Sequence, residues 1–451
     1  MLTAKKSLPH WLVPTVMVLL ALVYWVGAWQ HLHRVNDQIH RTDQGAYLNY
    51  AREIAKTDYA YVGGRNRMPA FPFLASLVYQ DGMSEEAFFN RVKHLNIILS
   101  MLSLVAIWWV SRQWLPPLEA TTFALIAAFG VFVYKSAYAQ AEILFYTMSF
   151  FAFLLALRVL HRPSWWLALL TGVATGVSQL TKASLLPFLI LLLAWSAVGA
   201  IVDLRRSLRN GAPTPIGWRR PLAMLLLLAG FLMTVFPYIQ TSKERFGHWF
   251  YNVNSTFYVW CDSFSEAKAT TGAHGDRLHW PDMPAEEIPS LRKYLREHTA
   301  SQIAGRTANG FVRVMKKAKH QPAAAGLLAL YLVLILTISV RARSAMGRVL
   351  FDDDRWVVTG FITSHILGHL ILYSFYAPIA SGARLVMALF LPSLFCMIYL
   401  STHRDLRETV LFRKGGRTIR PRNWHRGMLG VLGAVIVLVY PYWILHRYTG
   451  N

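Results

Sequence analysis

The sequence predicts an all-α polytopic membrane protein: a bundle of about eleven transmembrane helices with two long outer loops that carry interfacial helices. Three observations predict it. Hydrophobic residues make up 55% of the 451 residues and charged residues only 15%, where a soluble chain carries about a quarter charged. The apolar residues gather into blocks of about twenty, long enough to span a ~30 Å hydrocarbon core. Many of the Lys and Arg residues behind the formal net charge of +23 sit in short connections between those blocks. That is a topology signal that also suits anionic lipid headgroups, and it argues against a nucleic-acid partner.

The first block, 11–29, follows Lys5 and Lys6 and lacks a clear small-residue cleavage site, so it reads as a retained signal anchor. Further spans are predicted at 95–110, 118–134, 143–160, 165–180, 185–202, 222–239, 323–340, 356–376, 385–400 and 428–445. The chain 1–451 is thus one transmembrane domain, with no internal repeat or low-complexity tract. If Lys5 and Lys6 are cytoplasmic, alternation puts Arg112, 158–162, 203–220, 341–355 and 403–426 on the cytoplasmic side. These are the Lys/Arg-bearing connections, as the positive-inside rule requires. The carboxyl terminus then lies outside.

The same alternation places loops 30–94 and 240–322 outside, with short outer turns at 135–142, 181–184 and 377–384. Loops that long carry function or structure of their own. Residues 43–56 show helical periodicity with Tyr47, Tyr50 and Ile54 on one side. Residues 303–319 mix Phe311, Val314 and Met315 with Arg313, Lys316, Lys317 and Lys319. Both read as interfacial helices.

Five polar features fall on this outer face. Asp43, in Arg41-Thr42-Asp43-Gln44-Gly45-Ala46-Tyr47, reads either as a helix N-cap or as a carboxylate able to take a proton from a hydroxyl. Arg67, before a Pro-x-x-Pro turn (Pro69, Pro72), reads as a solvated loop arginine or as a phosphate ligand. Glu142 enters the fourth span, where the helix dipole favours a carboxylate and where boundary acids are often functional. Lys182 interrupts a long apolar stretch at a hairpin tip, and snorkelling or phosphate binding would each explain it. Arg384 precedes a span containing Pro392, as an interface anchor or an anion ligand.

Other polar groups point less clearly to chemistry. His365 and His369, at i and i+4 within a span, lack a carboxylate to complete a metal site and read as interior histidines. Asp352-Asp353-Asp354 falls on the cytoplasmic side, away from the cluster. His274, His279 and His298 lie in the second outer loop without metal-like spacing. Two cysteines, Cys261 and Cys396, form no disulfide framework or zinc pattern.

Taken together, these residues resemble the GT-C superfamily of membrane glycosyltransferases. The nearest branch is that of protein O-mannosyltransferases and the enzyme that adds aminoarabinose to lipid A. The resemblance rests on Thr42-Asp43-Gln44-Gly45-Ala46-Tyr47 in the first outer loop and on Arg67-Met68-Pro69-Ala70-Phe71-Pro72. It also rests on Gly172 and Gly176 leading to Leu180-Thr181-Lys182, and on Arg384 with Pro392. The chain departs from the protein mannosyltransferases in having Asp43-Gln44 where they carry an Asp-Glu pair. The resemblance is strongest over about residues 11–200.

It implies a polyprenyl-phosphate sugar donor and a hydroxyl acceptor that is a lipid, a glycan or a protein. The reaction would invert the anomeric carbon at the periplasmic face of a bacterial inner membrane. Asp43 would act as base, Glu142 would assist, and Arg67, Lys182 and Arg384 would hold the donor phosphate. Some members use a divalent cation, for which no dedicated ligand set is evident. Two other classes share the architecture. An O-antigen ligase or polymerase would rely on Arg and His in a late outer loop, and a lipid-linked-sugar flippase would show paired repeats and mid-membrane charge.

Overall fold

The computed structural model describes residues 12–210, 219–274, 283–318, 322–352, 355–380, 383–414 and 417–446. The protein is an all-α polytopic membrane protein; among the described residues two short strands, β1 (Phe412–Lys414) and β2 (Arg417–Ile419), pair antiparallel. The first half of the chain comprises α1 (Leu12–Arg34), α2 (Gln44–Lys56), α3 (Ala70–Ser76), α4 (Glu85–Ser111), α5 (Pro117–Ala127), α6 (Val133–Ser136), α7 (Glu142–His161), α8 (Trp165–Thr181), α9 (Leu186–Asn210) and α10 (Arg219–Phe246). The second loop holds α11 (Val253–Thr256), α12 (Phe264–Ala273), α13 (Leu291–Glu297) and α14 (Ala300–Ala318). After it come α15 (Pro322–Arg341), α16 (Arg343–Phe351), α17 (Arg355–Tyr376), α18 (Ala383–Thr402), α19 (Pro421–Ala434) and α20 (Tyr440–His446).

Among the described residues, eight helices are long and apolar enough to cross a membrane. The other three predicted spans are helices too. α1 has 23 residues and α8 has 17, and the apolar part of α18 is the shorter Val386–Thr402. A 17-residue helix rises about 25 Å, which is shorter than the hydrocarbon core. The predicted start of α4 also needs correction. Ser84 accepts from the Ala87 N–H, and Glu85 and Glu86 occupy the first turn. That capped start carries the helix ten residues beyond the apolar span predicted at 95.

Helices α8 and α10 approach closely because glycines line their contact. A Cβ on Gly172 would lie 2.1 Å from the Leu227 carbonyl oxygen, and one on Gly230 would lie 2.5 Å from that of Leu169. In lipid, where apolar burial gives helices little reason to associate, such small-residue contacts hold them together.

The two long loops are folded. One buried cluster joins Tyr47, Leu48 and Ala51 of α2 to Phe71 of α3 and Phe88, Phe89 and Val92 of α4. Another joins Phe246, Tyr251, Phe257, Tyr258 and Cys261 of the second loop to Ile379 beyond α17. Of the segments read as interfacial helices, residues 44–56 form α2 and residues 303–318 lie in α14; Lys319 lies outside the described residues. On α14 the buried Val314 faces the protein, while Phe311 and Met315 stay exposed. Gly310 permits close packing on α17, since a Cβ there would meet the Ser374 carbonyl at 1.8 Å.

Candidate functional site

Both loops close over a cavity of about 1030 Å³ at one end of the bundle. Its walls come from the start of α2, residues 66–68, the α8–α9 hairpin tip, the second loop, α14 and the end of α17.

Asp43 sits at the N-cap position of α2 but makes no side-chain cap bond, with backbone angles φ −66° and ψ 1°. Its carboxylate instead pairs with the Arg67 guanidinium, Oδ1 to Nη2 at 2.7 Å, both side chains partly exposed to the cavity. Arg67 also donates to the Asn66 carbonyl at 3.1 Å and lies 5.6 Å from the centre of the Tyr47 ring.

The neighbouring Arg65 does different work. It takes positive φ (55°), is buried, and lies 3.9 Å over the Tyr238 ring while donating to the Tyr238 carbonyl at 3.1 Å. Burial pushes its guanidinium pKa below the usual value. Arg65 therefore anchors the first loop to α10, and Arg67 faces the cavity. Arg65→Ala is expected to destabilise by about 2–3 kcal/mol, the scale of lost bonds to a charged group. An unchanged melting midpoint in detergent would exclude the anchor.

Glu142 opens α7 and Lys182 closes α8, and their side chains meet at 2.9 Å. The Glu142 side chain is 2% exposed and that of Lys182 is 21%. Lys182 lines the cavity, with its ammonium 5.6 Å from the Phe145 ring centre and Glu142 behind it. Asp43, Arg67 and Lys182 are thus brought to one cavity, with Glu142 buried behind Lys182 rather than lining it. Arg384 is the second residue of α18, and its side chain lies outside the described residues.

Two cavity cations escaped the sequence reading, Lys268 of α12 and Lys317 of α14. Lys268 carries no local signal, and Lys317 was one charge among several on an interfacial helix. Among the described lining residues, Arg67, Lys182, Lys268 and Lys317 face one carboxylate, Asp43. Asn254 ties the walls together. Its amide donates to Asn66 Oδ1 at 2.9 Å, and its oxygen accepts from the Tyr376 hydroxyl at 3.4 Å.

The histidines fall elsewhere. His369 Nδ1 lies 3.0 Å from the His365 carbonyl oxygen, and the His365 ring packs on Phe153, Phe188 and Phe361. His298 contacts Asp262 at 3.1 Å, and His274 follows α12. Asp352 caps the end of α16; His279, Asp353 and Asp354 lie outside the described residues. Among the described residues, no group of three or more His, Cys, Asp or Glu is placed to hold a metal ion.

No family model matches the chain, and no curated protein matches its sequence. Solved structures similar to it include two crystal structures of one protein. The crystal structure of ArnT from Cupriavidus metallidurans in the apo state is 14% identical, over 86% of this chain and 78% of that one, with a TM-score of 0.37. The crystal structure of the same protein bound to undecaprenyl phosphate is 15% identical, over 87% and 78%, with a TM-score of 0.34.

Proposed function

We propose that the protein is an inverting glycosyltransferase that moves a sugar from a polyprenyl-phosphate donor to a hydroxyl acceptor. The acceptor is a lipid, a glycan or a protein at the periplasmic face of a bacterial inner membrane. The observation that carries this reading is the Asp43–Arg67 pair opening, at 2.7 Å, on the same cavity as Lys182. One carboxylate among several cations suits a reaction that needs a single base and releases a phosphate.

In this scheme the acceptor hydroxyl gives its proton to Asp43 as its oxygen bonds to the anomeric carbon. The bond from that carbon to the phosphate oxygen breaks on the opposite face, inverting the centre. The electron pair leaves with polyprenyl phosphate, and Arg67 and Lys182 stabilise the growing negative charge. Arg67 also orients Asp43, and Glu142 fixes the Lys182 ammonium. Arg384 joins the phosphate site in the scheme the resemblance implies. Leu186, Pro187, Leu372 and Phe375 supply an apolar wall for the first isoprene units.

Mass spectrometry of envelope lipids and glycans from cells with and without the protein tests the reading. One sugar-modified species should disappear with the protein and return with the wild-type gene; an unchanged envelope would overturn the proposal. Lys182→Ala should raise the donor KM at least about tenfold, the effect of ~1.4 kcal/mol of lost phosphate binding. It also strips the buried Glu142 of this counter-ion, costing about 3–5 kcal/mol. The double variant Glu142→Gln/Lys182→Met removes that penalty. It should keep the high KM, and a wild-type KM would take Lys182 out of the phosphate site.

A further inference from the structure

Gln44, the residue after Asp43, is fully buried, and so is Asn36. Their carboxamides face each other. Asn36 Nδ2 donates to Gln44 Oε1 at 2.8 Å, and Gln44 Nε2 donates to Asn36 Oδ1 at 2.9 Å. Each also grips backbone. Asn36 Nδ2 donates to the Ala137 carbonyl at 2.8 Å. The Ala139 N–H donates to Gln44 Oε1 at 3.0 Å, and Gln44 Nε2 donates to the Gln38 carbonyl at 3.3 Å. These backbone partners decide which end of each carboxamide is oxygen, because an N–H requires an acceptor and a carbonyl a donor.

Helix α4 reinforces the joint from behind. Asn96 Nδ2 donates to the Tyr138 carbonyl at 2.7 Å, and Lys93 Nζ donates to the Asn36 carbonyl at 2.9 Å. The turn held in this way runs directly into Glu142 at the start of α7. One buried joint therefore lies immediately beside both acidic residues of the site.

We infer that the Asn36–Gln44 amide pair is a positioning device that locks the start of α2 to the turn before α7. It sets Asp43 and Arg67 at a fixed distance from Glu142 and Lys182. The kinetic part of this inference rests on the proposed transfer reaction; the joint itself does not. A carboxamide is needed because Gln44 donates and accepts at once. A carboxylate there would turn an acceptor towards Asn36 Oδ1 and the Gln38 carbonyl, and would bury a charge.

The test uses the full chain in lipid nanodiscs. Gln44→Glu should lower kcat about 10²-fold at neutral pH, the scale of an ångström-sized misplacement, while the donor KM stays within about twofold. Lowering the pH should narrow the gap to the wild type measured at the same pH, because a protonated Glu regains an O–H donor where the amide N–H stood. Wild-type kcat in the variant, a loss carried in KM, or a loss that acid does not relieve would each overturn the positioning role. Hydrogen exchange at the Ala139 amide supplies a readout independent of turnover, and Gln44→Leu should speed it about tenfold or more, as loss of a buried bond of ~1.4 kcal/mol requires. If the wild type transfers no sugar, the proposed reaction fails and exchange alone decides; unchanged protection at Ala139 would then dismiss the joint.

Discussion

Asp43→Asn is expected to reduce sugar transfer about 10³-fold, inside the 10²–10⁴-fold range that a positioned general base contributes. Asparagine keeps the shape of the side chain and an oxygen that can still accept from Arg67, now at 2.7 Å. It cannot take the proton of the acceptor hydroxyl. The fold should persist, because the Asp43 side chain makes no cap bond to α2 and stands beside the cavity, apart from the bundle core. Removing one anion also leaves the cavity more positive, so donor binding should hold or tighten while turnover fails. Single-turnover transfer from a polyprenyl-phosphate sugar, run beside a donor-binding titration, separates the two. Normal turnover in a folded variant would sink the assignment of Asp43 as the base.

Gly172→Leu is the largest structural effect expected. A Cβ at Gly172 would lie 2.1 Å from the Leu227 carbonyl oxygen and 2.8 Å from the Phe231 nitrogen. Those atoms are backbone, so no side chain can swing aside and the two helices must part. The cost is about 3 kcal/mol or more, at the upper end for overpacking. Most of the folded protein should be lost on extraction into detergent. The effect reaches the cavity as well, since α8 carries Lys182 at its end. Gly427 makes the control: a Cβ there meets nothing within 4 Å, and Gly427→Ala should leave melting unchanged or slightly higher. A Gly172→Leu variant that melts like wild type would show that α8 and α10 do not cross this closely.

Gly172 also shows what a linear reading can reach. Together with Gly176 it stood out as part of a Gly-rich hairpin, but nothing near it in sequence names its partner, which lies 55 residues on at Leu227. The adjacent arginines make the same point. Arg65 and Arg67 are equivalent in composition and spacing, and only positive φ at Arg65 and its seat on Tyr238 separate the anchor from the cavity residue. Lys268 and Lys317 could not be sorted in advance, because a lysine that lines a cavity and one that faces water are the same residue until the chain closes around it. Gln44 read as a departure from a familiar acidic pair. Its burial against Asn36 and Ala139 turns that departure into a requirement for an amide.

The sequence by itself determined the all-α membrane architecture, the approximate places of its apolar helices and the two long segments between them. Hydropathy and helix length act over about twenty consecutive residues, so they are written locally. It also selected Asp43, Arg67, Glu142, Lys182 and Arg384 as polar groups expected on the outer face. Only the tertiary structure decided that Asp43 meets Arg67, that Glu142 stands behind Lys182, and that Lys268 and Lys317 share their cavity. Such pairings join residues 24 to 40 positions apart, and more across the cavity, through the packing of whole helices. Their energy comes from a geometry that no local stretch of chain contains.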